Sequence, residues 1–348
     1  MENLFHRVIL HGIEANVSDI HIGVSYAPVI RVDGRITFLA TFPVVSEEIM
    51  EKNIRELFGE ECVKSAKEGR EVDIAFSYSG ARFRANIYRE RRGLNVAMRH
   101  IPEMIPTIES LGFLNPYGEL LSRFAEAPYG MILVTGPTGC GKSTTLAGLI
   151  GHINTHRREH VITIEDPIEY LHENNQCLIK QREVGSGEDS GSFSQALRSA
   201  LREDPDVILV GEMRDAETMA LAVSAAETGH MVLSTVHTNN TYQAVNRIID
   251  VFPAAQQGQI RGQLAQNLVG IVAQRLLPRR GGGRVLAAEF LNNTNAVKTQ
   301  IRDNKLQTIP NTIKTSREEG MILLSDYVKL LVDSGMIEKT AGERYITN

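Results

Sequence analysis

A glycine-rich stretch at positions 136–144 carries the strongest chemical signal in the sequence. It fits the pattern G-x-x-x-x-G-K-[ST], and it stands between an apolar run at 131–135 and a stretch that can continue as a helix. A strand, a glycine loop and a helix in that order let backbone N–H groups surround phosphate oxygens at a helix N-terminus. The pattern predicts a nucleoside triphosphate site, with Lys142 on the β- and γ-phosphates and the Ser143 hydroxyl on Mg²⁺. The predicted loop consists of Gly136, Pro137, Thr138, Gly139, Cys140, Gly141, Lys142, Ser143 and Thr144.

Two acidic residues and a histidine follow other strand-like runs. Glu165, Glu212 and His237 each stand one or two residues after an apolar run. Because the carboxyl ends of parallel strands meet at one edge of a sheet, we expect the three side chains to gather beside the phosphate loop. One carboxylate would position or activate water, and another would organise Mg²⁺ and its waters.

Each of these residues also has a structural interpretation. A carboxylate at a strand end can cap a helix or face solvent, and for either glutamate taken alone that interpretation is as good as a catalytic one. The phosphate loop beside them favours chemistry. The residues by themselves leave open whether Glu165 or the adjacent Asp166 activates water. A lone histidine is more often structural, but the place of His237 at the same sheet edge favours a sensor of the γ-phosphate.

The elements that would position these residues fall into two domains. Residues 1–100 contain helices and short strands, which predicts an N-terminal α+β domain. Pro102 and Pro106 then predict a stiff linker over 101–112. In 113–348 near-continuous apolar strands alternate with helices, a pattern typical of a mostly parallel sheet with helices on both faces, and the last part of this stretch is mostly helical. We therefore predict an α/β fold for the C-terminal domain.

Composition limits the classes of protein that this chain can belong to. The 348 residues are 42% hydrophobic and 23% charged, with a formal net charge of −5, as in an ordinary globular protein. The slight acidity argues against a nucleic-acid binder, which usually carries a basic face. Cys62, Cys140 and Cys177 form no C-x-x-C pair, so we expect neither disulfides nor zinc, and a reducing, cytoplasmic compartment. The sequence contains no run of about 18 apolar residues, so it predicts no membrane span.

Four motifs in this order resemble those of the type II/type IV secretion ATPase superfamily. After the phosphate loop come an Asp-box-like I-E-D-P-I-E at 164–169, an atypical Walker B-like G-E-M-R-D at 211–215 and a His-box-like S-T-V-H-T-N at 234–239. In the N-terminal domain, S-D-I-H at 18–21 and R-V-D-G-R at 31–35 resemble the superfamily's PAS-like domain. The resemblance covers nearly the whole chain. It implies a RecA-like P-loop ATPase domain preceded by a PAS-like domain.

The resemblance also assigns roles to single residues. It implies ATP as the nucleotide, Glu165 as the catalytic base and Glu212 as the residue that organises Mg²⁺. His237 would sense the γ-phosphate. Arg84 and Arg99 match superfamily positions that reach the nucleotide and stabilise the transferred charge, although the Arg84 motif has one extra residue before its aromatic. By spacing alone, both arginines are solvent-facing strand charges.

Within the superfamily the chain is most similar to the pilus retraction ATPases. It carries neither the long N-terminal extension nor the tetracysteine zinc site of assembly and type II secretion members, and A-V-K-T-Q-I-R-D at 296–303 resembles, with several departures, a C-terminal motif associated with retraction. The resemblance implies a homohexamer, an inner-membrane platform protein and the pilus machinery as partners, and a peripheral position at the inner face of the cytoplasmic membrane. Neither nucleic acid nor zinc is expected.

Three alternatives stay open. The chain could drive pilus assembly or type II secretion as another member of the superfamily. It could be a ring-shaped nucleic-acid motor, against which the acidity and the combination of Asp box and His box count. It could also be a nucleotide-gated interaction module with negligible turnover, which the two strand-end glutamates disfavour.

Overall fold

In the computed structural model the chain divides into two compact units, Met1–Met104 and Ile105–Asn348. Residues 105–112 of the predicted linker therefore group with the second unit, in which Ile108 is buried in the hydrophobic core. The predictions for position 33 and for linker positions 102 and 103 fall outside the described residues, which are 3–32, 34–101, 104–184 and 191–346.

The first unit is an antiparallel sheet with helices packed on one face. Its elements are α1 (Leu4–Glu14), β1 (Asp19–Gly23), β2 (Val29–Val32), β3 (Arg35–Phe38), α2 (Glu47–Phe58), α3 (Glu60–Lys67), β4 (Val72–Tyr78), β5 (Ala81–Glu90) and β6 (Gly93–Ile101). The strands lie in the order β3-β2-β1-β6-β5-β4. Along β5, buried residues such as Phe83 and Ile87 alternate with half-buried ones such as Arg84. The buried set packs on the helices, so Arg84 stands on the open face.

The second unit is built around a second sheet. Its elements are α4 (Tyr117–Ala125), β7 (Gly130–Thr135), α5 (Lys142–His156), β8 (His160–Glu165), β9 (Leu178–Glu183), α6 (Phe193–Ala200), β10 (Val207–Val210), α7 (Ala216–Glu227), β11 (Met231–Val236), α8 (Thr241–Asp250), α9 (Ala254–Asn267), β12 (Leu268–Pro278), β13 (Arg284–Asn292), α10 (Asn295–Arg302), α11 (Ile309–Thr315), α12 (Leu324–Asp333) and α13 (Lys339–Ile346). No helix of the described residues is long and apolar enough to cross a membrane.

The strands of the second sheet lie in the order β13-β12-β7-β11-β10-β8-β9. They run parallel from β12 to β9, and the edge strand β13 is antiparallel to β12. Every residue of β7, β10 and β11 is buried, because helices cover both faces and a hydrophobic cluster fills each side. Full burial explains the near-continuous apolar runs in the sequence. The predicted fold class is confirmed: an α/β domain with a mostly parallel sheet, an N-terminal α+β domain and C-terminal helices.

Side-chain caps start the helices that follow the predicted acidic and histidine loops. The Asp215 carboxylate accepts the backbone N–H of Thr218 at 2.8 Å and starts α7 shortly after Glu212. Asn240 caps α8 in the same way, shortly after His237. A cap fixes where a helix begins. Each connection from strand to helix is therefore short, and it keeps Glu212 or His237 at the edge of the sheet.

The sequence pattern did not predict two of the strands, β9 and β12. β9 is an edge strand whose residues 180–183 are polar and either exposed or only partly buried, so it lacks the apolar run of its neighbours. β12 begins directly after α9 without a turn signal between them. Both strands carry side chains that reach the candidate site.

Candidate active site

The phosphate loop leaves β7 and enters α5 at Lys142. Gly136 has a φ of 147° and Gly141 a φ of 88°, in the region that favours glycine. A Cβ on Gly136 would stand 2.5 Å from the backbone oxygen of Gln274 and 2.6 Å from Sγ of Cys140. Both distances are too short for a real contact, so the first position of the loop requires glycine. Glycine is therefore required at position 136 by close packing as well as by backbone conformation.

The Lys142 ammonium lies against the loop itself. Its Nζ donates to the backbone oxygens of Gly136 at 3.1 Å and Pro137 at 3.2 Å. Ser143 and Thr144 follow in the first turn of α5, where backbone N–H groups have no partner within the helix and the helix dipole is positive. A glycine loop, an ammonium and a helix N-terminus together suit a triphosphate. The exposed tip of the loop consists of Pro137, Thr138 and Gly139.

Glu212 has a partner at each carboxylate oxygen. Arg214 Nη2 donates to Oε2 at 2.7 Å, and His237 Nε2 lies 3.4 Å from Oε1. The hydrogen bond from Arg214 lowers the pKa of Glu212, and the nearby His237 and Lys142 act in the same direction. Glu212 therefore stays ionised at neutral pH. An ionised carboxylate beside a phosphate loop is a suitable ligand for a divalent cation.

Glu165 is the last residue of β8 and is half-buried. Thr163 Oγ1 donates to its Oε1 at 2.6 Å, and Gln181 Nε2 donates to the same oxygen at 3.2 Å. Burial raises the pKa of Glu165, and the two hydrogen bonds partly oppose that effect. A carboxylate with a raised pKa accepts a proton more readily than one with a lowered pKa. The opposite pKa shifts of Glu165 and Glu212 are typical of a base and a permanently charged group that share a site.

The loop that follows Glu165 is tied to the phosphate loop. The Tyr170 hydroxyl donates to Thr144 Oγ1 at 3.1 Å, and Gln181 Nε2 donates to the Tyr170 backbone oxygen at 2.8 Å. Asp166, the alternative base, is exposed. The contacts therefore connect Glu165 to the first turn of α5 through one tyrosine and one glutamine.

The His-box loop is tied to its two neighbouring strands. Thr135 Oγ1, at the end of β7, accepts the backbone N–H of Thr238 at 3.0 Å. Thr235 Oγ1 donates to the backbone oxygen of Gly211 at 2.7 Å. His237 stands between these two anchors with 43% of its side chain exposed. Its backbone is fixed, and its ring is open to solvent beside Glu212.

β12 pairs with β7 on the side opposite to β11 and supports the site from there. The fully buried Gln274 donates from Nε2 to the Cys140 backbone oxygen at 2.8 Å and accepts the Thr145 hydroxyl at 3.0 Å. Arg275 Nη2 donates to the backbone oxygen and to Oδ1 of Asn239, both at 2.9 Å. One strand therefore holds both the phosphate loop and the His-box loop.

Four of these residues were not found by sequence reasoning: Tyr170, Gln181, Gln274 and Arg275. Gln181 and the Gln274–Arg275 pair lie on the two strands that were not predicted, and Tyr170 stands just beyond the acidic motif. One signal was available in the sequence. The apolar run at 268–273 ends in Gln-Arg, in the same way that the other site strands end in polar residues.

Arg84 and Arg99 face each other across β5 and β6 in the first unit. Arg84 Nε lies 3.7 Å from Asp73 Oδ1, and Arg99 Nε lies 3.2 Å from Asp19 Oδ1. The Arg99 side chain is 70% exposed. Two adjacent guanidinium groups on an open sheet face suit an anionic ligand. That they reach the nucleotide stays a prediction.

The structure brings four of the predicted groups to one edge of the second sheet. The phosphate loop, Glu165, Glu212 and His237 follow β7, β8, β10 and β11, which are neighbours in the sheet, and each stands at the carboxyl end of its strand. This is the edge at which open parallel sheets bind ligands. The arrangement offers groups that can bind a triphosphate, a divalent cation and a water, and the pKa values of its two glutamates are shifted in opposite directions.

Comparison with known proteins identifies the family of this chain. The family described as type II/IV secretion system protein matches residues 1–307. The type IV pilus retractation ATPase PilT of Pseudomonas aeruginosa is 42% identical over 323 residues, which cover 92% of this chain and 92% of that protein. The type IV pilus ATPase PilU of the same organism is 38% identical over 335 residues, which cover 96% of this chain and 86% of the relative.

Among solved structures, a crystal structure of the pilus retraction motor PilT with bound ADP matches with a TM-score of 0.86 at 42% identity, covering 99% of this chain and 97% of that one. Identity at this level extends over both units of the chain. The resemblance carried by the phosphate loop, Asp box, Walker B-like and His-box motifs is therefore confirmed, and the chain belongs to the type II/IV secretion system protein family.

Proposed function

We propose that this chain is an ATPase motor that hydrolyses ATP with Mg²⁺ to drive the retraction of type IV pili. One observation carries the proposal: a phosphate loop and two glutamates of opposite pKa shift stand at one sheet edge. That edge belongs to a chain 42% identical, over 92% of each sequence, to a pilus retraction ATPase. The first part supports hydrolysis, and the second supports the mechanical task.

Each residue at the sheet edge has a role in this proposal. The loop at 136–144 and Lys142 bind the triphosphate, and Glu165 accepts a proton from the attacking water. Mg²⁺, when bound, neutralises phosphate charge, and Ser143 and Glu212 would hold it. His237, whose ring lies beside Glu212, would respond to the presence of the γ-phosphate. Holding these groups in fixed positions is the main contribution that a protein makes to phosphoryl transfer.

The proposal extends to the first unit and to the assembly. Arg84 and Arg99 would bring positive charge to the transferred phosphate. The chain would act as a homohexamer, with the linker at 101–112 as the hinge between its two domains. It would work at the inner face of the cytoplasmic membrane on an inner-membrane platform protein of the pilus machinery. The division of the chain close to residue 104 supports a hinge at that place.

Phosphate release and nucleotide binding, measured together, test the hydrolytic part. Glu165→Gln and Glu212→Gln are each expected to lower kcat by about 10²-fold or more while the Kd for ATP changes only a few-fold, because neither residue belongs to the loop that binds the triphosphate. Glu217→Gln is the matched control and is expected to keep turnover, since Glu217 lies on α7 and forms an exposed ion pair with Arg198 of α6. Loss of ATP binding in both site variants would contradict the assigned roles.

A twitching assay tests the mechanical part. In a piliated strain that lacks its own retraction ATPase, the wild-type chain is expected to restore motility and pilus retraction, and Glu165→Gln is not. Native mass measurement of the purified chain with ATP is expected to give a six-subunit species. A strictly monomeric chain with full turnover, or restored pilus assembly without retraction, would overturn this part of the proposal.

A further inference from the structure

We infer that Gln181 and Thr163 are positioning residues that hold Oε1 of Glu165 and thereby turn Oε2 toward the attacking water. The inference deepens the proposed function, because it rests on Glu165 acting as the base. Both side-chain donors converge on the same carboxylate oxygen, Thr163 Oγ1 at 2.6 Å and Gln181 Nε2 at 3.2 Å. Oε2 receives neither of these two donors. Two donors on one carboxylate oxygen restrict the plane of the carboxylate and leave that oxygen with less capacity to accept a proton than the other.

The direction in which the Gln181 amide points is set by backbone partners. Its Oε1 accepts the N–H of His172 at 2.8 Å, and its Nε2 donates to the backbone oxygen of Tyr170 at 2.8 Å. An N–H can only donate and a carbonyl oxygen can only accept, so the two contacts exclude the flipped amide. The remaining N–H of the amide is therefore directed at Glu165.

Strand register brings the three side chains together. β8 and β9 are parallel neighbours in which Thr163 pairs with Gln181 and Glu165 with Glu183. Residues that pair across a sheet, and residues two apart along a strand, share one face. Thr163 is fully buried, so its hydroxyl has a fixed position against Glu165. The position of Thr163 against Glu165 therefore depends on the strands alone, whereas the orientation of Gln181 also depends on the loop that contains Tyr170 and His172.

The charges around Glu165 define what the two donors do to its protonation. Burial raises the pKa of Glu165, and the Glu169 carboxylate raises it further, whereas the Thr163 hydroxyl, the Gln181 amide and the backbone N–H of Glu169 favour the ionised form. Glu183 is the acidic residue that pairs with Glu165 from the adjacent strand. Removal of either donor is therefore expected to raise the pKa of Glu165. The acid limb of the pH–rate profile then moves to higher pH.

Steady-state ATPase kinetics across pH, with Thr163→Val and Gln181→Met, test the inference. Both changes keep the side-chain volume close to the original and remove the donor to Glu165. Each is expected to lower kcat by about 10- to 100-fold at an unchanged KM for ATP, since misplacement of a reacting group has effects of this size. The acid limb is expected to rise by about one pH unit, which corresponds to the loss of one hydrogen bond to a charged group.

Two comparisons separate positioning from a structural role. Arg182, on the same strand as Gln181, donates from Nη2 to both carboxylate oxygens of Glu203. Arg182→Met removes this ion pair and is expected to change thermal stability but not the acid limb. Gln181 also holds the Tyr170 loop, whereas the hydrogen bond from the Thr163 side chain goes to Glu165. If Thr163→Val keeps the wild-type kcat and acid limb, Gln181 only secures the loop and the inference is wrong. A wild-type chain without Mg-ATP turnover would instead contradict the proposed function.

Discussion

Replacing Gln274 by methionine should destabilise the phosphate loop by removing its hydrogen bonds to β12, without changing any residue of the loop itself. Gln274 is fully buried on β12, donates to the Cys140 backbone oxygen at 2.8 Å and accepts the Thr145 hydroxyl at 3.0 Å. Methionine has nearly the same length and flexibility but can neither donate nor accept effectively at these positions. The Gln274→Met variant therefore leaves two buried polar groups without a partner while the packing is kept.

The expected size of the effect follows from those two contacts. A buried polar group that loses its partner costs about 1–3 kcal/mol, so two such groups reduce the free energy of unfolding by about 2–6 kcal/mol. For a unit of this size, 1 kcal/mol lowers the melting midpoint by about 2–4 °C. A loss of about 3 kcal/mol thus corresponds to a midpoint about 6–12 °C lower. The affinity for ATP should fall as well, by about tenfold, because the freed Cys140 carbonyl belongs to the loop that binds the phosphates.

Thermal unfolding followed by circular dichroism, together with ATP titration, measures both quantities. Gln259→Met is the matched control, since Gln259 is exposed on α9 and the chemical change is the same. The control should stay within about 0.5 kcal/mol of the wild type. A Gln274→Met chain with the stability and ATP affinity of the control would show that β12 does not support the phosphate loop.

Two further predictions concern His172 and the arginines of the first unit. Burial lowers the pKa of His172 from 6.5 to about 4. The neutral His172 side chain therefore contributes fully to stability above pH 6.5, and up to about 3 kcal/mol of the free energy of unfolding is lost as the pH falls toward 4. The free energy of urea unfolding of His172→Asn should therefore depend less on pH over that interval than that of the wild type. The same pH dependence in both proteins would contradict this prediction. Arg84→Ala should lower ATP turnover by about 10²-fold, whereas Arg82→Ala, on the same strand and face, should keep it; equal turnover in the two variants would exclude the proposed role of Arg84.

The sequence by itself determined the phosphate loop and the strands around it, because their requirements are local. Glycine at 136 and 141 satisfies a backbone conformation that few other residues adopt. Fully buried strands such as β7 and β11 must be apolar throughout, which makes them visible in a linear sequence. Because Glu165, Glu212 and His237 follow such strands, the sequence also predicts that they lie at one edge of the sheet.

Tertiary structure alone decided which side chains support these groups and in which direction the pKa of each glutamate is shifted. Gln181 is 16 residues from Glu165 in the chain, and Gln274 is 134 residues from Cys140. Hydrogen bonds of about 3 Å depend on strand register and on which strands are neighbours, and hydrophobic periodicity specifies neither. The opposite pKa shifts of the two glutamates arise from burial and from donors on other elements, so two residues of one type acquire different chemistry only once the chain is folded.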